Sequence, residues 1–234
     1  MQALYKKEMR TYFTTPLGYV FIATFLALSG FLFATSTYRA QTSDISGYFQ
    51  LMIFAYIVIV PLLTMRSFAE ERRTKTEQLL MTAPVSTTGM IMAKFLAAFT
   101  MFAGSVLLSA LYYIPLFKFG EPNVGKAAGC FIAMLLIGMC FIAVGIFVST
   151  LTESTVTASV GTMAVLLLFA AASMFNSLID SFVIRSVLNW ISVYSRFANF
   201  TYGIFDIAAA VYYLSVTAVF LFLAIRVYER RKYA

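Results

Sequence analysis

Long uncharged apolar stretches alternate along the chain with short clusters of charge. No Asp, Glu, Lys or Arg occurs from Thr11 to Tyr38, Ile45 to Met65, Phe95 to Phe117, Ala127 to Thr152, Ser154 to Ile179 or Ile207 to Ile225. Each run approaches or exceeds the ~20 residues that a helix needs to cross a ~30 Å hydrocarbon core. A chain in lipid must pair every backbone N–H and C=O within itself, which favours helices. The pattern predicts six transmembrane helices, near 17–38, 46–65, 92–117, 128–151, 155–178 and 207–226.

Composition places the whole chain in the same class. Of its 234 residues, 61% are hydrophobic, 17% aromatic and 12% charged, whereas soluble domains run at roughly 45–50% apolar and about 25% charged. The expected fold is an all-α integral membrane protein. The first apolar run exceeds the ~7–15 residues of a signal-peptide core, so it reads as a retained span.

Charge then sets the orientation. With six spans both termini share a side, and that side carries Lys6, Lys7, Arg10, Arg66, Arg72, Arg73, Lys75, Lys94, Arg226, Arg230, Arg231 and Lys232. The other side carries Arg39, Lys118, Lys126, Arg185 and Arg196. Cytoplasmic loops are enriched in Lys and Arg, so both termini are expected in the cytoplasm and the protein in the inner (cytoplasmic) membrane. The net charge of +7 is then a bias toward the anionic inner leaflet, and no nucleic-acid partner is needed to explain it.

Candidate chemistry is sparse. The chain has no histidine, which excludes His-based zinc sites and Ser-His-Asp triads. Cys130 and Cys140 lie ten residues apart in one apolar run, about 15 Å along a helix, too far for a disulfide. The stretch GEPNVGKA at 120–127 approaches the phosphate loop GxxxxGK[ST]. Ala127 stands where a magnesium-binding hydroxyl is needed, and a span rather than a strand precedes the glycine. A turn through Gly120, Pro122, Asn123 and Gly125 followed by a helix start accounts for the stretch. No HExxH or GxSxG pattern occurs, and Glu153 falls on the opposite side from Asp180 and Asp206, so no paired acid–base arrangement is evident. Neither catalytic, metal nor cofactor-binding residues are expected in this chain. The absence of mid-span charge argues against an ion-coupled carrier. Gly138, Gly145, Ser149, Ala158 and Gly161 read as small residues that let helices approach closely.

Three segments outside the spans carry pattern. Before the first span, Tyr5, Met9, Tyr12 and Phe13 share one helical face while Lys6, Lys7 and Arg10 take another. This predicts an interfacial helix with its basic side toward headgroups, broken at Pro16; a simple basic flank is the alternative. The charged stretch from Met65 to Ser86 predicts a solvated helical extension with Glu and Arg paired along it. Thr74 and Glu77 form a T-x-x-E capping box, predicting a short helix that carries Leu79, Leu80 and Met81 and ends before Pro84. That apolar knob either folds back on the membrane or fills a groove on a partner. Between Asp180 and Asp206, Ile184, Val187, Leu188, Ile191 and Tyr194 recur at helical spacing while Arg185 and Arg196 interrupt the run. The segment is too polar to span, with Trp190 and Tyr194 suited to an interfacial belt.

RSFAEERRTKTEQLLMTAPVS followed by Lys94, with YKKEMRTYFTTPLGYV, GIFVSTLTESTVTASV and FANFTYGIFDIAAAVYYLSV, resembles the permeases of ABC-2 type transporters, the gliding-associated ABC permeases in particular. The resemblance implies a single transmembrane domain over 1–234: a connecting helix at 1–16, a cytoplasmic coupling loop at 66–88 and paired re-entrant helices of the outer face at 180–206. It implies a half-transporter that dimerises with a second permease copy and is driven by a separate ATP-binding subunit, which would hold the ATP and magnesium. Thr76, Glu77, Gln78, Leu79, Leu80 and Met81 would form the coupling helix, with Thr74 at its start and Thr152 and Glu153 in a second, smaller cytoplasmic contact. Export is the direction the family implies. An intramembrane enzyme and a non-transporting membrane scaffold are the competing readings; the capping-box helix with its apolar knob favours the permease.

Overall fold

The computed structural model describes residues 2–39, 41, 44–74, 86–118, 122–175 and 192–232. All regular elements among them are helices, and six are long and apolar enough to cross a membrane. Helix α1 (Gln2–Thr14) stops before Pro16, whose missing N–H is tolerated at the first turn of α2 (Pro16–Phe33). A π-helical turn at Ala34–Tyr38 extends α2. Then come α3 (Ser46–Thr64), the short α4 (Ala69–Arg73) and α5 (Thr87–Ser109), which tightens into a 3-10 segment at Ala110–Lys118. Helices α6 (Val124–Leu151), α7 (Thr155–Phe175), α8 (Val193–Thr201) and α9 (Ile207–Lys232) complete the bundle.

All six predicted spans are present. Three differ at their ends for local reasons, the fourth beginning at Val124, not 128, behind the Asn123 cap. The third begins at Thr87, not 92, because the Ser86 hydroxyl accepts a hydrogen bond from the Gly89 N–H at 3.2 Å and caps the helix. The sixth runs to Lys232, past 226, with Arg226 and Glu229 paired one turn apart at 3.4 Å.

Helices α3, α5 and α6 form the centre, with 67% of the span window of α6 buried against 22% for α7. Phe25, Tyr56 and Phe102 interlock there, with ring centroids 4.9–6.1 Å apart. Two glycines of α6 permit this approach. A side chain at Gly138 would overlap the Phe102 ring, and one at Gly145 would overlap the Thr64 hydroxyl. Cys130 and Cys140 are both free and buried in α6, Cys130 Sγ lying 3.3 Å from the Phe200 carbonyl.

Contacts between distant segments define the two ends. At one end Glu8 meets Glu71 and Lys94 through a shared ion-pair cluster, and Arg231 meets Thr150, so both terminal helices converge there. We call this end the terminal face. At the other, Asp44 pairs with Lys126 Nζ at 2.8 Å and receives the Ser46 N–H and hydroxyl. Burial pushes the Asp44 carboxyl up, but these bonds outweigh it and hold it below its ordinary value. The Asn123 side chain accepts from the Lys126 N–H at 3.0 Å and starts α6. The described part of the phosphate-loop lookalike, 122–127, is therefore a capped helix start whose lysine is bound to a carboxylate.

A buried lysine hub at the terminal face

Lys94 lies two turns inside α5, where its side chain is only 2% exposed. A buried ammonium is costly unless paired and hydrogen-bonded, and two helices supply acids to it. Glu8 of α1 lies 3.1 Å from Nζ, and Glu71 of α4 lies 2.8 Å away. The ring of Phe68, just before α4, sits 5.1 Å below the ammonium. One cation thus joins α1, α4 and α5. Lys7 approaches Glu71 from the solvent side at 3.9 Å, and Arg66 reaches Glu70 at 3.7 Å.

Helix α4 has only five residues and cannot hold itself together. Its first N–H groups are satisfied from α6: the Ser149 hydroxyl accepts from Phe68 N at 3.1 Å and from Ala69 N at 3.2 Å. Ser149 is therefore a cap supplied by another helix as well as a small packing residue. Phe68 also packs on Tyr228 of α9, centroids 5.4 Å apart. At the far end Thr74 closes α4, its hydroxyl donating to the Glu70 carbonyl at 2.9 Å. Thr76, Glu77, Gln78, Leu79, Leu80 and Met81, with the other half of the expected capping box, lie outside the described residues.

The N-terminal helix forms as its pattern predicts, yet its apolar face is covered by protein. Tyr12 is buried, its hydroxyl donating to the Leu63 carbonyl at 3.4 Å, and the Tyr5 hydroxyl lies 3.1 Å from that of Thr100. Burial, reinforced by the negative charge of Glu8, raises the Tyr12 phenol well above its ordinary value, so it acts as a neutral donor. Met9 is half-buried, while Phe13, Lys6, Lys7 and Arg10 remain exposed. The expectation that this whole face enters lipid is corrected by the docking of Tyr5, Met9 and Tyr12 onto the bundle. The solvated extension is corrected similarly: Arg66 and Glu70 pair as expected, but Glu71 turns inward to Lys94.

Thr152 and Glu153 lie in the turn between α6 and α7, with Glu153 exposed. Arg231 of α9 organises that turn by donating to the Thr150 carbonyl at 2.9 Å and the Leu151 carbonyl at 3.4 Å, the last acceptors of α6. Of the segment 180–206, residues 180–191 lie outside the described ones, Trp190 included. The remainder contains α8, whose Val193, Phe197 and Phe200 are buried against the bundle.

Between α1, α4 and α5 lies a cavity of about 310 Å³ lined by Lys7, Glu8, Arg66, Glu70, Glu71 and Lys94 among others. Three cations face three carboxylates, so the lining is close to neutral and attracts neither sign strongly. The arrangement is suited to tying helices together rather than to moving protons. Sequence reasoning placed Lys94 and Arg231 in flanks, read Ser149 only as a small packing residue and gave Glu8 and Glu71 no inward partner. The signal available was the S-T-T-G helix start at Ser86, which puts Lys94 inside α5 and demands an acid partner.

No curated protein matches the chain. Residues 32–227 match the family described as ABC-2 family transporter protein, an interval running from the end of α2 into the polar end of α9. Six spans and a match over most of its length show that the chain belongs to the ABC-2 transporter family, as a multi-pass transmembrane permease of an ABC transporter and not itself an enzyme.

Proposed function

We propose that this permease is an exporter of the gliding-associated type, forming one transmembrane domain over 1–234 that works as a dimer and is driven by a separate subunit that binds ATP and magnesium. The terminal face is cytoplasmic, as its share of Lys and Arg favours. The segment bearing Thr76 to Met81 docks into the ATPase, and the Thr152–Glu153 turn makes the second contact. The observation that carries this reading is the mooring of α4. The helix leading into residues 75–85 is held by Lys94 of α5, by Ser149 of α6 and, through Lys94, by Glu8 of α1. Force applied to that loop reaches three helices through ion pairs and hydrogen bonds instead of dissipating in a slack connection. Spans α3 and α5 then act as levers between inward-open and outward-open states.

The test is co-expression with the ATPase encoded beside this reading frame, identified by an intact GxxxxGK[ST] loop. The subunit should co-purify with the wild-type chain and with Phe13→Ser, and be lost with Leu79→Asp or Leu80→Asp. Inside-out vesicles should take up substrate on ATP addition. Normal ATPase association and transport in the Asp variants would overturn the coupling assignment, and failure of any nucleotide-binding subunit to co-purify would favour a scaffold.

A further inference from the structure

On the opposite side of the bundle from the lysine hub, α7, α8 and α9 leave a groove of about 580 Å³ whose walls include Phe169, Arg196, Tyr212, Val216, Val219 and Phe220. That volume lies in the range of small-ligand sites, roughly 300–1,000 Å³. Its lining residues on α9 extend from Ala208 to Phe220, which at 1.5 Å per residue is ~18 Å, about half of a ~30 Å hydrocarbon core. The groove therefore has the depth of a single leaflet.

Its chemistry changes along that depth. At the polar end, just beyond the start of α9, the Arg196 guanidinium lies 4.2 Å over the Tyr212 ring, which fixes its plane at the mouth. Among the described residues Asp206 lies within electrostatic reach of it, and is committed to the Ala208 and Ala209 N–H groups at 2.9 and 3.2 Å and to Asn199 at 2.8 Å. A guanidinium offers five donors, so it can serve a second anion alongside that field. Below Arg196 the wall is apolar. Ser215 satisfies its hydroxyl on the Val211 carbonyl at 2.7 Å, and Phe169 and Phe220 meet edge to face at the deep end. Val211 and Val219 of its lining are more than half exposed, so it opens sideways to whatever surrounds the bundle.

We propose that this groove binds an anionic phospholipid of the surrounding bilayer, with its phosphate at Arg196 and one acyl chain along Tyr212, Val216 and Phe220. The charge at the mouth, the apolar wall beneath it and the one-leaflet depth match that molecule in the same order. The lateral opening lets it enter from the membrane without crossing water. The site is independent of the direction of transport and of the ATPase.

The test titrates the purified full-length chain, in a neutral detergent, with phosphatidylglycerol or phosphatidylcholine of identical acyl chains. Bound lipid is counted by native mass spectrometry, which also reports oligomeric state. Wild type should retain phosphatidylglycerol about tenfold more tightly than phosphatidylcholine, the scale of a charge-assisted hydrogen bond. Arg196→Gln should erase that preference, weakening phosphatidylglycerol far more than phosphatidylcholine, whose choline already offsets its phosphate, whereas Arg196→Lys should keep most of it. Val216→Trp, which fills the groove, should weaken both lipids. Equal affinity for the two lipids in wild type, or a preference that survives Arg196→Gln, overturns the proposal. So does a Val216→Trp chain that dissociates into monomers with lipid binding intact, because the groove would then be occupied by a second copy. Loss of ATPase binding in the loop variants would leave this result untouched.

Discussion

Replacing Lys94 by methionine removes a cation that is 2% exposed and leaves Glu8 and Glu71, 14% and 15% exposed, facing the same vacated point. Methionine fills much of the volume, so the loss is electrostatic rather than a cavity. Breaking a buried ion pair by deleting one partner costs about 3–5 kcal/mol. Lys7, 3.9 Å from Glu71 on a mostly exposed side chain, offsets only part of this, which puts the expected loss at about 3 kcal/mol. Without Lys94 the two carboxylates are left facing a point that holds no cation, and their mutual repulsion is what the loss consists of. Glu8→Gln and Glu71→Gln added to Lys94→Met remove the uncompensated charge and should restore most of the loss at neutral pH. Reversible unfolding in mixed micelles, followed by circular dichroism against SDS mole fraction, measures all three proteins. A loss below about 1 kcal/mol, or a neutralised triple variant no more stable than Lys94→Met, would refute the hub as an energetic knot.

The helix crossings and the far end of the bundle give two further expectations. Gly145→Ala sets a methyl group against the Thr64 hydroxyl and should cost about 1–3 kcal/mol, whereas Gly104→Ala enters open space and should be neutral or gain about 0.5–1 kcal/mol; equal unfolding midpoints for the two would contradict the packing described. Asp44→Asn loses the Lys126 pair, and because the Asp44 carboxyl is held below its ordinary value, the wild-type advantage should be full above about pH 4 and disappear as pH falls through the lowered value. A wild-type advantage that persisted under strongly acidic conditions would show that charge is not its source.

The six spans were readable because a charge-free run of some twenty residues has few other ways to satisfy its backbone. The amphipathic pattern of α1 was readable too, with Tyr5, Met9 and Tyr12 on one side. Periodicity identifies an apolar face but not its cover, and here Leu63 and Thr100 stand where lipid was expected. The lysine hub was harder for a related reason. Glu8, Glu71 and Lys94 are far apart in sequence, and each taken singly looks like an ordinary charged flank. The roles of Ser149 and Arg231 escaped notice because they cap backbone groups of other elements, a service that local sequence does not encode.

The lysine hub also has a place in time. Its two acids, Glu8 and Glu71, precede Lys94 in the chain, so synthesis from the N-terminus delivers both carboxylates before the ammonium that reconciles them. Until the third span is made, α1 has neither its Lys94 ion pair nor the α5 surface bearing Thr100, and rests only on the Tyr12 bond to Leu63 and the longer Lys7–Glu71 pair. A nascent chain with two spans in the bilayer therefore carries a first helix that is only partly docked, and the arrival of Lys94 makes the completion of that docking part of membrane insertion rather than a later event.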